Sequence, residues 1–376
     1  MEGIINILKP PGMTSHDVIA FLRRTLGEKK IGHCGTLDPE AAGVLPVCVG
    51  QATKLAEYLS GGEKAYYCEM AAGYETDTQD IWGETTWVYP GDVDNALLAP
   101  DRIAEAARSL VGEIEQEVPA YSAIKREGKS LHQYAREGKL YTGITRTVSV
   151  RSIQLLDIYA HPDADAEAHT DTDADTDAHT DTDVDTNAQA LAQARKIAFI
   201  VECGAGTYVR MICRDIGRKL GCGGVMSFLL RLRVGPFRLE DSFTLEEIRQ
   251  WAGEGKAGEG FIAPKELALA YLPKLTANSH EAARLRQGQA MWLPADGLAL
   301  KSGGTAPSGE SLMPPGSGAA SGDGLVQGST AAAPPKGGYR AWVADGEGRL
   351  AALGICKPGG DSRSGHVYFK PDKTFS

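Results

Sequence analysis

Lys30-Ile31-Gly32-His33-Cys34-Gly35-Thr36-Leu37-Asp38-Pro39-Glu40-Ala41-Ala42-Gly43-Val44-Leu45-Pro46-Val47 is the most informative stretch of this 376-residue chain. Gly32, Gly35 and Gly43 bracket a histidine and an aspartate in a loop that runs into an apolar element. Asp38-Pro39 has an ordinary reading as well. An Asp N-cap, a Pro at the first helical position and an acid just after it make a common helix start. His33 taken by itself is an ordinary loop histidine. Spacing alone favours the cap over catalysis.

Outward from this loop, strand and helix signals are mixed. Ser15–Leu26 has helical spacing, with Val18, Ile19 and Leu22 on one side and Ser15 placed to cap it. Tyr66–Ala72 reads as a strand ended by Gly73, and Asp101–Val111 as an amphipathic helix. Ser149–Tyr159 and Ile197–Cys203 read as paired strands on either side of an insertion. Tyr208–Leu220 is helical, with Arg210, Arg214 and Arg218 at i, i+4 and i+8 on one face. Leu245–Trp251 is a short helix. After Pro273, Leu275–Leu293 and Tyr339–Phe369 hold short apolar runs among glycines, like a small β module. The expected class is α+β, in two parts: residues 1–270 and a β-rich module over 271–376.

Composition bounds the rest. Hydrophobic residues make up 42% and charged residues 23%, enough for a substantial core. No apolar run approaches the roughly 18–20 residues that cross a bilayer, and the start, Met1–Pro11, lacks the basic leader of a secretory signal. Seven cysteines without a Cys-x-x-Cys pair indicate neither a disulfide framework nor a zinc knuckle. A cytoplasmic setting is the simplest reading. The net charge of −10 is misleading, because residues 160–194 hold nine Asp, Glu167 and no Lys or Arg, which accounts for all of it. That acidic Asp/Thr/Ala segment has too little apolar surface to offset its ordering entropy and reads as a disordered insertion. Its Asp-x-Asp-x-Asp spacing lacks the Gly and Glu a calcium loop requires. Residues 297–338, rich in Gly, Ser and Pro, read as a flexible second insertion. Two other stretches are basic: residues 119–151 carry seven Lys/Arg against two Glu, and residues 195–238 carry nine against two acids. Such clusters suit a phosphate backbone.

Six motifs, in order, carry a resemblance. They are Asn6–Ser15 (Asn-Ile-Leu-Lys-Pro-Pro-Gly-Met-Thr-Ser), Gly32–Val47, Lys64-Ala65-Tyr66 with Thr76-Asp77-Thr78, Val118–Lys125, Gly206-Thr207-Tyr208-Val209-Arg210, and Phe228-Leu229-Leu230-Arg231-Leu232. Together, over most of residues 3–157 and 195–245, the chain resembles the TruB family of bacterial tRNA pseudouridine synthases, which isomerise uridine 55 in the T loop. The resemblance implies a pseudouridine synthase catalytic domain with a mixed, mainly antiparallel sheet flanked by helices, followed by a small β-rich PUA-like RNA-binding domain. It implies Asp38 as the catalytic aspartate, nucleophile or base, with Arg210 pairing it and Tyr66 stacking on the uracil. It further implies His33 against the flipped nucleotide, Tyr208 in the active site and Leu229 lining the pocket. Tyr66 thus counts both as catalytic and as substrate-binding. The implied partner is tRNA through its T stem-loop, with no membrane, no protein partner and a monomeric chain. Cys34 departs from the family, which usually has Thr there, so a hydroxyl-mediated hydrogen bond at that position is in question.

The chemistry agrees with these implications. Making pseudouridine breaks the N1–C1′ bond, turns the freed uracil and rejoins it through C5. Nothing is added or oxidised, so neither cofactor nor metal is expected. The reaction needs a carboxylate that stays ionised in a closed pocket. Burial disfavours the charged form, and a paired arginine, permanently charged and forked, restores it. An aromatic face can hold the detached base while it turns. The target base must first leave its stack for a pocket. The basic stretches around Lys125–Arg151 and Arg210–Arg238 suit phosphates of a structured RNA loop. Three rival readings are a silent tRNA-binding or folding protein, a glycoside hydrolase and a synthase for another RNA. The intact motif set argues against the first. The second needs two flanking carboxylates, and the sequence offers Asp38 no evident acid partner.

Overall fold

The structure is a computed structural model that describes residues 1–139, 141, 143–160, 195–255, 260–295, 339–358 and 366–375. Apart from Ala160, the insertions expected at 160–194 and 297–338 lie outside these residues. The chain divides into two compact units. The first holds Ile5–Val49 and Ala56–Ile262, and the second holds Glu2–Ile4, Gly50–Leu55 and Ala263–Ser376. Among the described residues no helix is long and apolar enough to cross a membrane.

A mixed sheet organises the first unit. Its strands are β1 (Gly3–Lys9), β2 (Ile31–His33), β3 (Ala42–Val49), β4 (Lys64–Ala72), β5 (Tyr74–Thr76), β6 (Thr85–Val88), β7 (Gly112–Glu117), β8 (Thr145–Ala160), β9 (Arg195–Cys203) and β10 (Gly224–Val234). The main sheet runs β1–β3–β10–β4–β9–β8–β7, with β2 paired to β3 and β5–β6 forming a separate ribbon. β3 and β10 are parallel, whereas β10–β4, β4–β9, β9–β8 and β8–β7 are antiparallel. β8 and β9 pair as far as Ala160↔Arg195, as expected of the two strands.

Helices α1 (Ser15–Leu26), α2 (Pro100–Arg108), α3 (Val209–Leu220) and α4 (Leu245–Gly253) accompany the sheet. α1 buries Val18, Ile19 and Leu22 as its spacing predicts. Its cap is Thr14 rather than Ser15: the Thr14 hydroxyl accepts from Asp17 N and the Asp17 carboxylate accepts from Thr14 N, a reciprocal box. Ser15 is free for another task, described below. The helix start expected at Asp38-Pro39 is also absent. Ala41 N donates to Asp38 O at 3.1 Å and closes a turn, after which every residue of β3 is buried between its neighbours. The local cap signal loses to sheet burial of the apolar run that follows. α2 stops at Arg108, short of the expected Val111, although Leu110 stays buried.

The second unit is the expected β module. Its strands β11 (Lys274–Thr276), β12 (Met291–Pro294), β13 (Tyr339–Ala344), β14 (Leu350–Pro358) and β15 (His366–Thr374) form one sheet in the order β11–β13–β14–β15–β12. Helix α5 (Ser279–Arg286) buries Ala282 and Leu285 into its core of Leu275, Leu293, Val343 and Phe369.

Candidate active site

Asp38 sits in the turn between β2 and β3, and the opening motif holds the residues on either side of it. On one side the Ser15 hydroxyl accepts from Leu37 N at 3.0 Å and donates to Leu37 O at 3.3 Å. On the other, the Lys9 ammonium donates to Pro39 O at 2.8 Å, and also to Pro10 O and Met13 O at 2.8 and 2.5 Å. Gly12 N adds a bond to Pro39 O at 3.1 Å. Lys9 is fully buried, and burial pulls its amine down to about 8 against the opposing charges of Glu40 and Asp38. A loop tied through backbone groups on both sides gives the carboxylate a fixed root.

The side chain reaches Arg210, whose Nε lies 3.0 Å from Asp38 Oδ2. Arg210 projects from the first turn of α3 and is held by the chain around it. Its Nη1 donates to Thr78 O at 2.8 Å and its Nη2 to Tyr121 O at 3.1 Å. The guanidinium is 6% exposed and the Asp38 side chain 42%. A buried cation therefore presents a partly open carboxylate and fixes its direction. Asp80 also approaches Arg210, with Oδ2 3.8 Å from Nη1. Burial raises the Asp80 carboxyl, opposed by the Thr78 hydroxyl and by Arg210. Asp38 thus has a carboxylate neighbour after all, on the far side of a shared guanidinium.

Tyr66, on β4, is almost entirely buried in the cluster that includes Leu37, Ala41 and Leu229. Burial pushes its phenol up to about 12, with Arg231 opposing the rise, so the ring is neutral at physiological pH. Leu229 pairs with Cys68, two residues from Tyr66 on the same strand, which puts both predicted pocket residues on one face of the sheet. Tyr208 is the residue before α3. Gln116, buried on β7, clamps its backbone from both sides, accepting from Tyr208 N at 2.8 Å and donating to Tyr208 O at 3.1 Å. Its ring packs on Val118, Leu131 and Tyr134. His33 ends β2 with its ring edge-on to His16, centroids 5.4 Å apart. Its Nδ1 is buried without a hydrogen-bond partner among the described residues, and burial lowers its pKa, helped by His16 and Arg231. The structure pairs Asp38 directly with Arg210, and sets Tyr66 and Leu229 in one core cluster with Leu37, the residue before Asp38. His33 lies at the end of β2, and Tyr208 packs on a separate cluster.

Cys34 does not take up a hydroxyl's role. Its Sγ lies 3.1 Å from Cys48 Sγ, both buried, and that contact together with burial drives its thiol far above the ordinary range. Much of the basic charge expected to meet phosphate is answered inside the unit. Arg214 pairs with Glu117, Arg218 with Glu75, Arg233 with Glu202 and Arg151 with Glu63. The three arginines of α3 therefore differ in partner: Arg210 meets Asp38, whereas Arg214 and Arg218 meet glutamates.

Sequence reasoning gave Ser15, Lys9, Asp80 and Arg231 no part in holding the Asp38 loop or Arg210. The first two and Arg231 lay inside quoted motifs, and Asp80 is two residues beyond Thr78. Their signal was a polar residue set among apolar or turn residues.

Comparison with known proteins gives this site its class. Residues 23–178 match the family model described as TruB family pseudouridylate synthase (N terminal domain), and residues 210–270 match the tRNA pseudouridylate synthase B C-terminal domain. The fold is similar to a chain in the crystal structure of a Cbf5-Nop10-Gar1 complex, with a TM-score of 0.63 and 25% identity over 100% of this chain and 85% of that one. The two family models and the shared fold define a pseudouridine synthase. The tRNA pseudouridine synthase B of Heliobacterium modesticaldum is 42% identical over 297 residues, 79% of this chain and 84% of that protein. The one from Alkaliphilus oremlandii is 39% identical over 292 residues, 78% and 83% respectively. The chain belongs to the TruB family.

Proposed function

We propose that this enzyme converts uridine to pseudouridine in the T loop of tRNA, at position 55, in the cytoplasm, with Asp38 as its catalytic group. The observation that carries the reading is the half-open Asp38 carboxylate held 3.0 Å from the buried Arg210 guanidinium beside the Tyr66 cluster. The flipped uridine enters against the Tyr66 ring, with Leu229 and Tyr208 closing the pocket and His33 touching the nucleotide. Arg210 keeps the Asp38 carboxylate oriented while the N1–C1′ bond breaks. Tyr66 retains the free uracil as it turns to present C5. Residues 1–270 form the catalytic domain, and 271–376 a PUA-like module that contacts the same RNA.

The test is modification of unmodified tRNA transcript, mapped by carbodiimide-dependent reverse-transcription stops. Full-length protein is expected to give one stop, at position 55, that Asp38→Asn abolishes. Modification at another nucleotide would refute the site choice, and undiminished turnover by Asp38→Asn would refute the chemistry.

A further inference from the structure

Arg231 is the largest fully buried side chain among the described residues, 1% exposed, on strand β10 inside the sheet. Burying a guanidinium without a carboxylate against it is costly unless its N–H groups are satisfied. Here they are turned on the catalytic loop. Nε donates to Val44 O at 2.7 Å, Nη1 to Thr36 O at 3.3 Å and Nη2 to Gly35 O at 3.2 Å. All three acceptors lie within six residues of Asp38. The backbone of the same residue has two neighbours. Across the antiparallel ladder it faces Tyr66, and across the parallel one it faces Gly43. Directly opposed residues on paired strands put their side chains on the same face, a few ångströms apart. The β4–β10 register shifts between Arg231 and Arg233, and a bulge at that point re-aims the side chains beside it. β3 comes so close that a Cβ on Gly43, at φ +109°, would lie 2.3 Å from Arg231 O.

We propose that Arg231 is a positioning residue for the isomerisation: one guanidinium fixes the Asp38 loop to the strand that carries Tyr66, so that carboxylate and ring keep their mutual placement while the uracil turns. The inference rests on the assignment of Asp38 and Tyr66 made above. Arg210 sets the direction of the carboxylate, and Arg231 sets the distance between the loop and the ring. The mutual influence of the Tyr66 phenol and the Arg231 charge follows from the same juxtaposition. Lysine cannot replace it, because a point ammonium on a flexible stem cannot reach three carbonyls in a plane.

Arg231→Lys and Arg231→Gln, each checked for folding by circular dichroism, are assayed on tRNA transcript beside Tyr66→Phe, the Tyr66→Phe/Arg231→Lys double variant and Asp38→Asn. Arg231→Lys is expected to lower kcat by about 10²-fold, the scale of an ångström-sized misplacement, with the KM for tRNA little changed. Lysine should restore more kcat than glutamine does. The double variant should lose little more than the worse single variant, because the two residues act through one link. Full kcat in folded Arg231→Lys overturns the proposal. So do multiplicative losses in the cycle, or a kcat loss that only tracks the unfolded fraction. If neither Arg231 variant folds, Tyr66→Phe decides: it keeps the ring but removes the phenol hydroxyl of the residue opposite Arg231, so kcat should fall, and full kcat overturns the link. An inactive Asp38→Asn beside a fully active Arg231→Lys would sink this inference alone, whereas an active Asp38→Asn would sink the reading beneath it.

Discussion

A guanidinium has five N–H groups, more than one carboxylate can accept, and Arg210 distributes them. One edge meets Asp38 and the other donors meet Thr78 O and Tyr121 O. The two carbonyls prevent the side chain from following its partner into solvent, so the open carboxylate is aimed by a fixed cation. Lysine at 210 would keep the charge and lose that division of labour. Arg210→Lys is therefore expected to lower kcat/KM on tRNA by about 10- to 100-fold, the loss of one charge-assisted hydrogen bond at about 1.5–3 kcal/mol. Steady-state kinetics beside a thermal melt check it. A variant within twofold of the parent would mean that charge alone matters at this position. Sequence made the Asp38–Arg210 pair legible because both residues stand in ordered motifs. It could not show that Ser15 clamps Leu37 or that Lys9 clamps Pro39, since those bonds close over 22 and 30 residues of chain.

At the scale of elements, the site depends on how closely β3 can approach β10. Gly43 is the contact point: its φ of +109° and the 2.3 Å separation of a Cβ from Arg231 O both exclude a side chain. Gly43→Ala combines an unfavourable backbone conformation with overpacking against backbone that cannot yield. It is expected to destabilise the fold by about 2–4 kcal/mol, from roughly 1 for the conformation and 1–3 for the overlap. A urea melt measures it, and a loss below about 1 kcal/mol would show that the strands can part. Such close approaches explain where the sequence was readable. Periodicity located α1, β4, α3 and the β8–β9 pair because each has a buried face that repeats along the chain. It failed at Asp38-Pro39, where a sound local cap signal precedes an apolar run that the sheet claims. It also put the cap of α1 one residue late, since Thr14 and Ser15 are both competent caps and only the tertiary bond to Leu37 separates them. The role of Arg231 was beyond its reach, because a lone charged residue in an apolar strand motif shows no partner in one dimension.

At the scale of the whole molecule, the second unit carries its own lock, and acid should open it. Asp345 begins the turn between β13 and β14 and is 6% exposed. It accepts from Arg286 on α5 at 2.7 Å, from Glu347 N and Arg349 N at 3.0 Å each, and from the Arg349 side chain at 3.4 Å. Arg286 also donates to Phe375 O at 3.1 Å, so one ion pair joins helix, hairpin and the end of the last strand. Burial pushes the Asp345 carboxyl up, but these hydrogen bonds together outweigh it and bring it down to about 2, below its ordinary 3.8. A carboxyl more acidic in the folded chain than in the unfolded one adds stability in full above about 3.8. That stability fades as the pH falls from about 3.8 through about 2, below which both states hold the proton. Asp345→Asn should therefore lower the melting temperature by a constant amount from about pH 7 to pH 5, and the gap should close between about pH 4 and pH 2. Thermal unfolding of the two proteins across this range reads the difference directly. A gap that survives at pH 2 would mean that the side chain's shape holds the hairpin rather than its charge. No gap at pH 7 would remove Asp345 from the account of how the β module stays closed.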